Sequence, residues 1–157
     1  AKPKLVALLS QIRDPGNAGT VLRAADAAGA DAVIFSSGSV DIYNPKVVRS
    51  TTGSMFHLPF VVDVEISDVV AALKAAGIQI LAADASGVAL PELSGELAKP
   101  TAWLFGNEAW GFEPEVLALA DKTVAVPIYG AAESLNLATA ASVCLYFSAF
   151  AQNATAS

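Results

Sequence analysis

Cysteine is almost absent from this sequence: Cys144 is the single one in 157 residues. That excludes a disulfide framework, and no Cys/His metal-binding spacing exists either. Cys144 stands in the apolar run Ser142-Val143-Cys144-Leu145-Tyr146-Phe147, where it reads as a small buried hydrophobe in a cytoplasmic, reducing setting. Charge is scarce as well. Only 15% of residues are charged against 54% hydrophobic, the opposite of a disordered composition. So little charge covers a surface poorly, and a large self-association patch is expected. Positive charge is scarcest: 9 Lys and Arg face 15 Asp and Glu, a net of −6. A free-standing nucleic-acid binder usually carries a basic face. Any grip on nucleic acid must therefore come from a local basic cluster, a partner subunit or a further domain.

Long apolar runs are missing too. After Ala1-Lys2-Pro3-Lys4 only a few apolar residues precede Gln11 and Arg13, too few for a signal peptide. Beyond Glu133 no charged residue appears, which raises the question of a membrane span. Such a span needs about 20 mainly apolar residues. Ser134, Asn136, Thr139, Ser142, Ser148, Gln152 and Asn153 interrupt this one. It reads as a helix buried by the core or by a partner subunit, with no membrane involved.

What is present is a βα rhythm without repeats, low-complexity tracts or an internal linker. The length suits one domain with a single sizeable core. Strands are predicted at Leu5–Leu9, Ala32–Phe35, Phe60–Val64, Ile78–Ala83, Thr101–Phe105 and Thr123–Val126. Helices are predicted from about Ala18 to Ala28, from Asn44-Pro45 to near Gly53, and from a cap at Ser67 or Asp68 to Ala76. A short one starts at Pro114 and a long one runs from a Ser134 cap to about Gln152. Residues 85–99 read as irregular. The sum is a three-layer α/β domain with a parallel sheet, whose ligand site belongs at the carboxyl ends of the strands.

Three loops at such ends hold the unusual polar residues. The first contains Asn17-Ala18-Gly19-Thr20-Val21-Leu22-Arg23. Asn17 sits at a helix start, and Arg23 falls almost two turns later. An arginine there can reach back over the helix N-terminus, a favourable anion site, and clamp a phosphate with paired donors. A cap plus a surface salt bridge explains the same residues. The second loop, Gly106-Asn107-Glu108-Ala109-Trp110-Gly111, brackets one carboxylate between glycines that permit close backbone approach. A tight turn with an exposed Glu is the competing reading. It is not the early G-x-G-x-x-G dinucleotide fingerprint. The third runs from Val126-Pro127-Ile128 to Ser134-Leu135-Asn136-Leu137-Ala138. Capping accounts for Ser134. It does not account for Asn136, expected just inside the helix, where asparagine is unfavourable.

In this order the three loops resemble the three motifs of the SpoU-type RNA ribose 2′-O-methyltransferases, within the knotted SPOUT superfamily. N-x-G-x-x-x-R matches at Asn17, Gly19 and Arg23. G-x-E-x-x-G matches at Gly106, Glu108 and Gly111. The proline pair followed by S-L-N matches at Pro127, Ile128, Ser134, Leu135, Asn136 and Ala138. Residues 49–54 and Leu58-Pro59 are similar to the family's intermotif segment. The resemblance spans about Leu5 to Phe150.

The resemblance implies a C-terminal deep trefoil knot, which general topology rules would not suggest. It implies S-adenosylmethionine as cofactor, lined by Ala83, Gly106, Val126, Ile128 and Leu135, and no metal. It implies a homodimer with the first and final helices in the interface, and RNA as substrate, ribosomal RNA before transfer RNA. Arg23 becomes the leading catalytic candidate, with Asn17, Glu108, Ser134 and Asn136 orienting it and the ribose. Arginine is always protonated, so binding the RNA phosphate, or relaying through it, suits Arg23 better than acting as a simple base. Arg49 offers a second phosphate contact or a surface ion pair. His57 is a tempting base, but lacks a partner motif and reads as packing or surface. Trp103 reads as core. Trp110 is a candidate for stacking on a base. The acidic charge and abrupt start suggest one catalytic domain, residues 1–157, of a longer protein with an N-terminal RNA-binding domain. Two other classes stay open: a non-catalytic dimeric module binding RNA or nucleotide, and a Rossmann-type enzyme, which the missing early glycine fingerprint disfavours.

Overall fold

A computed structural model of the chain describes residues 2–51, 53, 57–93 and 95–154. The six apolar runs become β1 (Leu5–Leu9), β2 (Ala32–Ser36), β3 (Phe60–Val64), β4 (Gln79–Ala89), β5 (Thr101–Phe105) and β6 (Lys122–Ala125). They pair in parallel throughout, in the order β3-β2-β1-β5-β4-β6. Between them lie α1 (Pro15–Ala27), α2 (Pro45–Thr51), α3 (Ile66–Ala75) and α4 (Pro114–Leu117), and α5 (Leu137–Ala154) ends the chain.

The strands alternate their side chains between two cores. Leu5, Ala7, Leu9, Trp103 and Phe105 face one side with Val21 and Leu22 of α1 and Ala141, Cys144 and Leu145 of α5. Val6, Leu8, Ala102 and Leu104 face the other with Ile66 and Val70 of α3. Helices on both faces make the three layers expected of a parallel sheet. β1 is apolar on every residue, β5 on all but Thr101, and both are buried throughout. Among the described residues no helix is long and apolar enough to cross a membrane.

Several boundaries move. α1 starts at Pro15, not Ala18, because Asp14 caps it, its side chain accepting from Gly16 N–H at 2.8 Å, and proline suits the first turn. α3 starts at Ile66 behind Glu65, so neither Ser67 nor Asp68 is its cap. β4 runs on to Ala89 and a 3₁₀ turn follows at Leu90–Leu93, in a stretch that reads as irregular by composition. α5 starts at Leu137, so the expected Ser134 cap is displaced and Asn136 stands outside the helix. In the intermotif segment Thr52 and Ser54 lie outside the described residues, as do Met55 and Phe56 beside His57.

The strand order runs outward from β1 to β3 and then returns to β5 beside β1. That reversal is where ligands bind in open α/β sheets. It brings the chain leaving β1 next to the chain leaving β5, and Ser10 N–H donates to Phe105 C=O at 2.9 Å.

Candidate active site

A cleft of about 340 Å³ opens at the carboxyl ends of β4, β5 and β6, within the range of small-molecule sites. Its wall holds Ala83, Gly106, Val126, Ile128 and Leu135, and also Glu108 and Ser134. Gly106 cannot be larger: a Cβ would lie 2.7 Å from the Gly111 backbone. Asn107 and Gly111 exchange both backbone hydrogen bonds, at 2.8 and 2.9 Å, with Gly111 in the left-handed region at φ +73. The turn is closed on itself and leaves bare backbone facing the cleft.

Asn107, which the sequence does not single out, locks that turn from inside. It is buried; its Oδ1 accepts from Ala109 N–H at 2.7 Å and its Nδ2 donates to Gln11 C=O at 2.7 Å. Gln11 pays for this position with a left-handed backbone, φ 55. Glu108 makes the second link to the same segment. Its Oε1 accepts the backbone N–H of Arg13 at 2.9 Å and of Asp14 at 3.2 Å. Its Oε2 is buried and has no partner among the described residues.

From Asp14 the hydrogen bonds continue. Asn17 Nδ2 donates to Asp14 Oδ2 at 3.4 Å, and Asn136 Nδ2 donates to Asn17 Oδ1 at 3.3 Å. Asn136 Oδ1 accepts from Ala138 N–H at 2.9 Å and Thr139 N–H at 3.4 Å. Asn136 is thus the N-cap of α5, the place where asparagine is favoured, and the difficulty of an asparagine inside a helix disappears. The three loops, 119 residues apart at their extremes, are joined by one chain of polar contacts. The role of Asp14 in it was not legible from the loop Asp14-Pro15-Gly16.

The arginines lie elsewhere. Arg23 and Arg49 are exposed and line no part of the cleft. Neither makes an ion pair among the described residues. Their helices touch: a Cβ on Gly19 would overlap Ser50 Oγ. Gly19, one turn before Arg23, therefore serves close packing of α1 on α2. His57 is exposed and its Nδ1 lies 3.4 Å from Asp26 Oδ2, at the far end of α1 from the cleft, so it is a surface residue. Trp103 is fully buried and Trp110 is 48% exposed. Burial pushes the Cys144 thiol up to about 12, which leaves it protonated and inert as a nucleophile.

An apolar slot with bare glycine backbone and three carboxylates on its wall, Asp84, Glu108 and Glu133, suits a flat ligand that carries positive charge. Residues 4–146 match the SpoU rRNA Methylase family.

The chain belongs to the SpoU family. It is similar to the 23S rRNA (guanosine(2553)-2′-O)-methyltransferase RlmP of Bacillus subtilis, 40% identical over 147 residues, or 93% of this chain and 58% of that protein. It is equally similar, 40% over 144 residues, to the 23S rRNA (uridine(2479)-2′-O)-methyltransferase of Streptomyces viridochromogenes, covering 88% of this chain and 50% of that one. Among solved structures it resembles the SpoU methyltransferase AviRb from Streptomyces viridochromogenes in complex with the cofactor AdoMet. The TM-score is 0.87 at 35% identity, over 98% of this chain and 63% of that one. The chain thus spans about half to three fifths of the length of these SpoU relatives.

Proposed function

We propose that this chain transfers a methyl group from S-adenosylmethionine to a ribose 2′-hydroxyl of RNA, ribosomal RNA in preference to transfer RNA. The observation that carries the reading is the polar chain from Glu108 through Asp14 and Asn17 to Asn136. It ties the first loop to the second and third, which line the cleft, and without it the matching motifs would be scattered turns. The preference for ribosomal RNA rests on the two relatives named for 23S rRNA.

The cleft fits the cofactor. Its apolar wall takes an adenosine, and its carboxylates complement a cationic sulfonium. When bound, S-adenosylmethionine supplies an electrophilic methyl group. The chain's own task is to bring a weak nucleophile to it, since a ribose hydroxyl titrates far above any carboxylate. Glu108 ties the second loop to Arg13 and Asp14 and keeps one buried carboxylate oxygen without a partner among the described residues, and Ser134 on the cleft wall offers a hydroxyl. The amide pair Asn17–Asn136 keeps unused N–H donors for a ribose or phosphate oxygen. Arg23, with Arg49 on the neighbouring helix, holds the RNA phosphate and aligns the hydroxyl. Positioning of this kind supplies much of a rate enhancement.

Arg23 stands outside the cleft of its own chain, and a homodimer that apposes α1 and α5 would set it over the partner's cleft. The exposed Phe147 and Phe150 on the uncharged α5 favour such a contact. The knot is part of the same reading. Val124 of β6 takes both Ala83 and Val88 of β4 as register partners. A Cβ on Gly87 would overlap the Thr123 and Val124 backbone. Both fit a β4 segment that wraps tightly around the last strand.

The test is methyl transfer to RNA with Arg23→Ala. Its kcat should fall by about 100-fold or more, with cofactor affinity by calorimetry and Tm unchanged. Wild-type protein that binds S-adenosylmethionine but methylates neither rRNA nor tRNA would favour a non-catalytic binding module instead. Mapping 2′-O-methyl positions in cellular RNA with and without the gene identifies the substrate.

A further inference from the structure

The amide contacts from Asn136 through Asn17 to Asp14 run in one direction, and the physical chemistry of the two ends leaves no choice. At one end the amides of Ala138 and Thr139 can only donate, so Asn136 must turn its oxygen to them. Its Nδ2 is then the group that faces Asn17, which must answer with Oδ1. The Nδ2 of Asn17 is left pointing the other way and needs an acceptor. Asp14 Oδ2 is that acceptor, while Asp14 Oδ1 is already engaged by Gly16 N–H at 2.8 Å. Asp14 is itself held from behind, its own N–H donating to Glu108 Oε1 at 3.2 Å and its C=O accepting from Ala18 N–H at 3.0 Å.

We infer that Asp14 is a positioning residue: its carboxylate holds the Asn17 amide in the orientation that the Asn136 cap demands, and so keeps the Asn17–Asn136 contact closed for the substrate. A helix cap alone needs one oxygen, and Asp, Asn and Ser serve about equally. Here both oxygens are used, one for α1 and one for Asn17. Of these three caps only the carboxylate has two acceptor oxygens, one for each donor. The inference rests on the methyltransferase reading for its consequence, though not for its geometry.

Asp14→Asn separates the two roles. Its single oxygen stays on Gly16 N–H, the shorter contact, and its new NH₂ faces the NH₂ of Asn17, donor against donor. A crystal structure of Asp14→Asn should show the Asn17–Asn136 contact opened from 3.3 Å to beyond hydrogen-bond reach, about 3.6 Å or more. The exchange Asp14→Asn with Asn17→Asp puts a donor back against an acceptor at both joints, and should close it again. Asp14→Asn should lower kcat about 10-fold or more, with KM for RNA within about twofold and Tm within about 4 °C. A contact that stays closed in Asp14→Asn overturns the inference. So does a contact that stays open in the exchange variant, or a kcat within twofold of wild type. Wild-type protein without any methyl transfer sinks the functional reading instead, and the two crystal structures still decide what Asp14 does.

Discussion

Trp103 carries one polar atom into the interior of the sheet, and Ser148 receives it. The indole N–H donates to Ser148 Oγ at 2.9 Å, and both residues are fully buried. From the sequence Trp103 is legible as core, because it stands mid-strand among apolar neighbours. Ser148 is not: it reads only as a break in an apolar run, and its partner is 45 residues away. Ser148→Ala should cost about 1–3 kcal/mol, the penalty for a buried donor left without an acceptor. Urea unfolding measures it, and a loss below half a kilocalorie would mean that the indole finds another partner. Asp14 and Asn107 belong to the same class. Their residue types are ordinary turn formers, and only the folded chain shows that the Asn107 side chain reaches across to Gln11 and that Asp14 uses both carboxylate oxygens, on Gly16 and on Asn17.

Among the elements whose starts the sequence misplaces, α5 shows the reason most directly. Ser134 and Asn136 are both good caps, and the segment Ser134-Leu135-Asn136 does not choose between them. Asn17 chooses, because its oxygen holds Asn136 at the helix mouth. On the proposed function the same residue caps a helix and offers an amide donor to the substrate, and the two duties separate by substitution. Asn136→Ser keeps a capping oxygen and should leave stability near wild type. Asn136→Ala should lose about 1 kcal/mol. Both remove the amide donor, so both should lower methyl transfer to a similar degree. Thermal unfolding beside an activity assay checks this, and activity that tracks stability alone would argue for a purely structural Asn136.

For the whole molecule, the proposal that Arg23 acts on RNA at a cleft it does not line in its own chain calls for a second copy. α5 has no charged residue, and Phe150 is 67% exposed on it. An aromatic left in water is unfavourable by about 25 cal/mol per Å² of apolar surface, so a covering copy is stabilising. If two copies complete each other's sites, Arg23→Ala and Glu108→Ala protein, each inactive alone, should regain activity when mixed after subunit exchange. About a quarter of the wild-type rate is expected, since half the dimers are mixed and each has one intact site. No recovery, with mixed dimers verified by mass spectrometry, would put Arg23 and its cleft in the same chain.

The sequence by itself determined the layers: apolar runs of strand length, separated by helical patterns, leave a parallel α/β sheet as the economical way to bury them. It also determined which loops carry unusual side chains, because glycine, asparagine and a lone carboxylate at strand ends are locally visible. What only the tertiary structure decided is which atom faces which. Hydrogen-bond direction depends on partners more than 90 residues apart, and no local pattern encodes whether an amide turns its oxygen or its nitrogen to a distant neighbour.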